Sequence, residues 1–287
     1  VQVNAPTEED GKTAKFDFGS ISYDTVGDYH YTVTEVQGNN PGISYSENTA
    51  SIIVHVSDNQ HGGLVATAEV KNGIFTNTYS SELDYGAQGG LQLVKNLMGH
   101  DLGDGQFGFT LNAEDSISID KLGQESVVVG NTADDMDESG LSTSTITLLD
   151  NLKFTQKDVD KTYTYTVRET KGGSEGYTND ETIYTVKITT EDNGSGTLTV
   201  RTHITGTNGT DKTYEYSQSK TRAETGVAQI VFENTYKSTT DGGDEYDNSV
   251  TLTGTKELTG RPMVDGEFSF QVLNSKGQVV SEATNGA

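Results

Sequence analysis

Lys95, Glu169 and Asn234 are the residues whose types and spacing could do covalent chemistry. Each lies in a run that alternates apolar and polar residues, and alternation puts positions i, i+2 and i+4 on one face of a strand. Leu91, Leu93, Lys95 and Leu97 therefore share a side, as do Tyr163, Tyr165, Val167 and Glu169, and likewise Phe232, Asn234 and Tyr236. All three polar side chains are predicted to point into a core. An unpaired buried charge is costly, so such residues need partners or must become neutral. Burial favours the uncharged forms of both an amine and an acid, and a buried pair can exchange a proton. A neutral lysine amine is a nucleophile. Attack on the asparagine carbonyl, with the glutamic acid polarising that carbonyl and carrying protons, would expel ammonia and leave a Lys–Asn isopeptide bond. Fixed geometry in a dry core would replace an external catalyst, giving one autocatalytic turnover rather than an enzyme.

Taken singly, a strand lysine or glutamate is more often exposed, and an asparagine after phenylalanine can simply start a turn. Repetition favours the reactive reading. The run Tyr163 to Glu169 is preceded by a near copy, Tyr29 to Glu35, and Phe232-Glu-Asn234-Thr-Tyr236 by Phe75-Thr-Asn77-Thr-Tyr79. Lys95 with Gly99 and Phe107 returns as Lys256 with Gly260 and Phe268. The order along the chain is Glu, Asn, then Lys, Glu, Asn, then Lys. Residues 1–80 thus read as the C-terminal part of one domain, 88–237 as a complete domain, and 248–287 as the opening strands of a further one. The polar segments 80–90 and 237–247 read as linkers. The ends read as cuts through a longer tandem array.

The elements that must hold these residues are strands. No apolar period of three and four runs over several turns, whereas short Thr-rich alternating runs end at turn signals such as Asn72-Gly73 and Asn208-Gly209. The expected fold is all-β: tandem immunoglobulin-like sandwiches joined end to end, one complete and two partial. Among 287 residues, 19 Lys and Arg face 43 Asp and Glu, a net charge of −24. That charge sets nucleic acid and anionic membranes aside as partners. No run approaches the roughly 18 apolar residues of a membrane span. The absence of cysteine removes disulfides, thiolate metal sites and cysteine nucleophiles.

Lys95 with Gly99 and Gly105-Gln-Phe107, the Tyr-x-Tyr-x-Val-x-Glu169 run and Phe-x-Asn234-Thr-Tyr236 together resemble the isopeptide-linked domains of Gram-positive pilins, related to the B-type repeats of collagen adhesins. The resemblance covers nearly the whole chain. It implies that Lys95 and Asn234, on the first and last strands, are joined with the help of Glu169. For the partial repeats it implies Glu35 and Asn77 in the first and Lys256 in the last. It further implies a stalk or repeat segment of an extracellular, cell-wall-attached adhesin or pilin-like protein. Its partners would be neighbouring repeats of the same protein and a host or cell-surface ligand, with no cofactor. No sorting signal or polymerisation lysine motif stands out.

Other signals are weaker. Asp135-Met-Asp137-Glu-Ser-Gly140 begins like a calcium loop but carries Ile146 where the closing Glu belongs, so it reads as a solvated acidic loop. Asp241, Asp244 and Asp247 read as a flexible acidic spacer. The five histidines form no ligand-spaced pair, and no metal site is expected. Alternative functions are a carbohydrate-binding sandwich, which would want exposed aromatics, and a ligand-binding adhesin using residues 120–145 or 200–225.

Overall fold

The computed structural model describes residues 12–217, 226–238 and 250–286. The linker aspartates Asp241, Asp244 and Asp247, and part of the 200–225 segment, lie outside the described residues. The chain divides into two compact units, Val1–Lys237 and Ser238–Ala287.

The first unit opens with β1 (Gly27–Thr34), β2 (Ile43–Ser44), β3 (Thr49–Asp58), β4 (Leu64–Lys71) and β5 (Thr78–Tyr79). Strands β1, β3 and β4 form an antiparallel sheet, and β2 pairs with β5. The alternating face of β1 is only half-buried, and β4 is exposed throughout.

There follow β6 (Glu82–Asp84), β7 (Leu91–Met98), β8 (Gly108–Ala113), a helix α1 (Ser116–Leu122), β9 (Ser126–Gly130), β10 (Leu141–Leu148) and β11 (Lys153–Thr155). After a 3-10 turn at Gln156–Asp158 come β12 (Thr162–Lys171), β13 (Tyr177–Thr178), β14 (Ile183–Asp192), β15 (Leu198–Gly206), β16 (Asp211–Tyr216) and β17 (Ala228–Tyr236). A four-stranded sheet, β10-β7-β17-β13, and a six-stranded sheet, β16-β15-β14-β12-β8-β9, bury one shared core. The inward alternation read from the sequence holds: Leu91, Leu93 and Leu97 meet Tyr163, Tyr165, Val167, Phe109 and Phe232 inside. The helix is an addition to the all-β expectation. Asp115 caps its start by accepting from Ser118 N, and Gly123, at φ 80°, ends it after two turns, too few to leave a helical period in the sequence.

Strands β7 and β17 lie side by side and parallel, with Phe232 opposite Lys95 and Asn234 opposite Leu97. The first and last long strands of the sandwich are therefore direct neighbours. Where the opening strands meet the sandwich, the Tyr79 hydroxyl donates to Asp192 Oδ1 at 2.8 Å and accepts from Gly196 N at 3.1 Å. Gly42 and Gly196 touch there, and a Cβ on Gly196 would fall 2.6 Å from Gly42 N. Ser81 adds a bond to Asp192 Oδ2 at 3.1 Å, and β6 continues the chain onto β11, so the segment read as a linker over 80–90 is instead packed onto the sandwich, with Leu83 and Tyr85 in its core. These contacts place residues 12–80 and the sandwich in one unit.

The Tyr165 hydroxyl is buried without a hydrogen-bond partner, alone in this among the buried side-chain polar atoms of the described residues. Burial raises its pKa, with the charge of Asp115 adding to the effect. A buried hydroxyl that makes no bond carries its desolvation cost uncompensated. Tyr165→Phe is expected to be neutral or stabilising by about 1 kcal/mol in urea unfolding; a loss of that size instead would show that the hydroxyl is bonded.

The second unit holds a hairpin, β18 (Ser269–Leu273) and β19 (Val279–Thr284), turned through Asn274 and Gly277. Its apolar residues Phe270, Val272 and Val279 are exposed.

Candidate functional site

Lys95 and Asn234 project from neighbouring strands of the four-stranded sheet, while Glu169 reaches them from β12 in the facing sheet. Glu169 pairs in register with Phe109 on β8, and the register shifts immediately beyond it. The three side chains converge. Lys95 Nζ donates to Glu169 Oε2 at 2.7 Å, and Asn234 Nδ2 donates to Glu169 Oε1 at 3.0 Å and Oε2 at 3.2 Å. Lysine amine and asparagine amide thus share one carboxylate oxygen. Lys95 is 0% exposed, the Glu169 side chain 3% and Asn234 2%. Phe107 lies under the amine, 4.4 Å from Nζ to the ring centroid.

Burial pulls the Lys95 pKa below its ordinary value. The hydrogen bond and charge of Glu169, and the charge of Asp180, oppose that pull without cancelling it. The environment therefore favours the amine more than water does. The amide is held by both ends. Its Oδ1 accepts from Asp180 N at 2.7 Å, and its Nδ2 also donates to Asn179 Oδ1 at 3.2 Å. The amide nitrogen, which would leave in a substitution at the carbonyl, faces the acid. An amine, an amide and a proton carrier in this arrangement can exchange ammonia for lysine.

Half of the same set recurs in the opening strands. Asn77 Nδ2 donates to Glu35 Oε1 at 2.7 Å, and Ser46 N donates to Asn77 Oδ1 at 2.7 Å and to Glu35 Oε2 at 3.3 Å. Asn77 is exposed and Glu35 half-buried. No strand among described residues 12–80 plays the part of β7. Lys256 lies in the second unit, exposed, with Nζ 4.7 Å from the centroid of the Phe268 ring. That contact repeats the one between Lys95 and Phe107 at the same sequence spacing.

Asp180 and Ser46 do not stand out in the sequence, because a main-chain N–H leaves no residue-type signature, and Asn179, which acts through its side-chain Oδ1, lies between strands and outside any alternating run. Their signal is positional: Ser46 and Asp180 each lie eleven residues after the glutamate of their copy.

A second buried ion pair shows what the first is not. Lys121 Nζ donates to Asp158 Oδ2 at 2.9 Å beside the Phe154 ring, but Asp158 also accepts from Tyr163 at 2.6 Å and from Thr155 N at 2.7 Å. Burial would raise the Asp158 pKa, yet the hydrogen bonds from Tyr163, Lys121 and Thr155 outweigh it and hold the acid below the usual carboxylate range. A carboxylate so stabilised is a poor electrophile, and the pair is structural. Because the folded pKa is depressed, its stabilisation is complete above about pH 4 and is lost as pH falls through the lowered value. Asp158→Asn is expected to cost about 3 kcal/mol at pH 7 and much less near pH 2 in denaturant titrations; equal losses at both would contradict the ion-pair account.

In the loop that begins like a calcium site, Asp137 Oδ1 accepts from Ser139 N, Ser139 Oγ and Leu141 N, which makes it a turn former leading into β10. No group of three metal-ligating side chains occurs among the described residues. No helix among them is long and apolar enough to cross a membrane.

No curated protein matches the chain. Among solved structures, the major pilin protein T3.2 of Streptococcus pyogenes is 21% identical, over 78% of this chain and 73% of that one, with a TM-score of 0.24. The T-13 major pilin of the same organism is 18% identical, over 80% and 75%, with a TM-score of 0.23. A model of the FctA family, described as a Spy0128-like isopeptide containing domain, matches residues 1–80 and 91–237. That match spans most of the sequence, including Glu35, Asn77, Lys95, Glu169 and Asn234, and the chain belongs to the Spy0128-like isopeptide-containing domain family.

Proposed function

We propose that this chain is a load-bearing segment of a pilin-like or adhesin stalk on the outside of a Gram-positive cell wall, riveted by an autocatalytic Lys95–Asn234 isopeptide bond. The observation that carries the reading is the single Glu169 carboxylate accepting from both Lys95 Nζ and Asn234 Nδ2, all three side chains buried. Proton transfer from lysine to glutamate makes amine and acid together, without changing the net charge of the pair. The amine adds to the Asn234 carbonyl, the acid gives its proton to the amide nitrogen and takes one back from the now cationic Nζ, and ammonia departs. The reaction runs once per domain.

Topology supports a mechanical role. Tension entering at the start of β7 and leaving at the end of β17 pulls two adjacent parallel strands past each other in shear. A covalent link between them carries that load and leaves residues between 95 and 234 outside the force path. Residues 88–237 are the complete repeat in this reading. Residues 1–80 and 248–287 contribute Glu35 with Asn77, and Lys256, to further repeats. Digestion followed by tandem mass spectrometry tests the reading. It should yield one branched peptide containing Lys95 and Asn234, whereas recovery of the two segments as separate linear peptides would contradict it.

A further inference from the structure

In both copies of the motif the asparagine carbonyl faces a backbone N–H supplied by the same local device. Asp180 N donates to Asn234 Oδ1 and Ser46 N to Asn77 Oδ1, each at 2.7 Å. Each donor comes two residues after a two-residue strand, and that strand pairs with the chain at or just beyond the asparagine: β13 with β17, and β2 with β5. Each donor's side chain then folds the same turn onto the residue two ahead. Asp180 Oδ1 accepts from Thr182 N at 2.8 Å, and Ser46 Oγ accepts from Asn48 N at 3.2 Å. In the complete domain Asp180 Oδ2 also accepts from Glu233 N at 2.8 Å, fastening the turn to the strand that carries Asn234.

Two copies that differ in residue type, Asp against Ser, and in burial keep the same donor, distance and turn. Core packing does not require this, since the Asn77 copy is exposed. Carbonyl chemistry does. When an amine adds to the Asn234 carbonyl, the carbon becomes tetrahedral and negative charge collects on Oδ1. A preorganised N–H at this distance is what stabilises such an oxyanion.

We propose that the Asp180 backbone N–H is the oxyanion donor of the cross-linking reaction and that the Asp180 side chain positions it; Ser46 plays the same part in its repeat. This rests on the cross-linking reading given above. In the balanced step the Lys95 Nζ–Asn234 Cγ bond forms as charge moves onto Oδ1 under the Asp180 N–H. The Cγ–Nδ2 bond then breaks as Oδ1 returns to a carbonyl; Nδ2 takes the Glu169 proton to leave as ammonia, and Nζ, cationic after the addition, gives its surplus proton to the freed Glu169 carboxylate, leaving a neutral amide. Asn179 Oδ1, accepting from Nδ2, fixes the amide so that nitrogen rather than oxygen faces the acid. An open cleft of about 300 Å³ reaches Glu169, Asn179 and Asp180, the three residues that hold the Asn234 amide.

The test times cross-linking in newly made full-length chains from cell-free synthesis, quenched in acid and read by intact mass. Incorporating the α-hydroxy analogue of aspartate at position 180 replaces the N–H by an ester oxygen and keeps the side chain. It is expected to slow ammonia loss roughly 100-fold, with the shape of the pH profile unchanged because the donor does not titrate. Asp180→Ala, which keeps the N–H but loses the turn, should fall between the ester and wild type. Asp180→Ser, which installs the residue of the other copy, should restore the rate to within about threefold of wild type. An ester protein that folds by circular dichroism and cross-links at the wild-type rate would overturn the proposal. If the ester protein does not fold, equal rates for Asp180→Ala and Asp180→Ser would do so. A wild-type chain that never loses ammonia would instead overturn the cross-linking reading itself.

Discussion

The Glu169→Ala protein is expected to keep the mass of its unreacted sequence and to stand at the edge of folding at room temperature. Two losses coincide in it. Without the acid no proton reaches the amide nitrogen, so the loop from residue 95 to residue 234 is never closed. In the chain-entropy model, closing a loop of about 140 residues stabilises by on the order of 5 kcal/mol. Lys95, fully buried, also loses the carboxylate that accepts its proton at 2.7 Å, and stranding one member of a buried pair costs about 3–5 kcal/mol. Together these approach the roughly 5–15 kcal/mol that separates a folded domain from its unfolded chain. Denaturant unfolding followed by circular dichroism reads the outcome directly. A midpoint close to wild type would mean that neither the bond nor the ion pair contributes as argued.

Lys95→Met separates the two losses. Methionine fills the lysine channel beside Phe107 without bringing a charge, so the protein loses the cross-link and strands no cation, while Glu169 keeps the Asn234 amide as a hydrogen-bond donor to both its oxygens. It is expected to unfold about 5 kcal/mol more easily than wild type and to remain more stable than Glu169→Ala. Adding Glu169→Leu to Lys95→Met should cost little further or recover some stability, since an apolar pair of similar volume often equals a buried ion pair. The larger contrast should appear with protease, because a chain without the link exposes cleavable segments each time the sandwich opens. Equal proteolysis of Lys95→Met and wild type at a matched fraction unfolded would remove the mechanical argument.

Much of this site is legible in the sequence because strand alternation is a strong geometric constraint. Once Leu91, Leu93 and Leu97 must face inward, Lys95 has no other side to occupy, and the same holds for Glu169 behind Tyr163, Tyr165 and Val167. Repetition adds what one strand cannot, by bringing Glu35 and Asn77 into view as a second instance. Alternation says which face a residue occupies but nothing about which strand lies beside it. The parallel pairing of β7 with β17, on which the force path depends, is therefore visible only in the structure. The Asp180 and Ser46 donors escape for another reason: every residue except proline carries an N–H, and only the fold decides where it points. Lys121 and Asp158 are likewise unannounced, because one lies on a two-turn helix and the other on a 3-10 turn, where no period of two applies. In β1 the period of two correctly marks the inner face, yet that face stays half-buried because few described residues cover it.

The intact mass of the purified wild-type monomer, measured after denaturation, decides whether Lys95 and Asn234 are joined. A closed Lys95–Asn234 link predicts a value below that of the sequence by one ammonia, returning to the full sequence mass in Glu169→Ala. A wild-type monomer at the full sequence mass would contradict it.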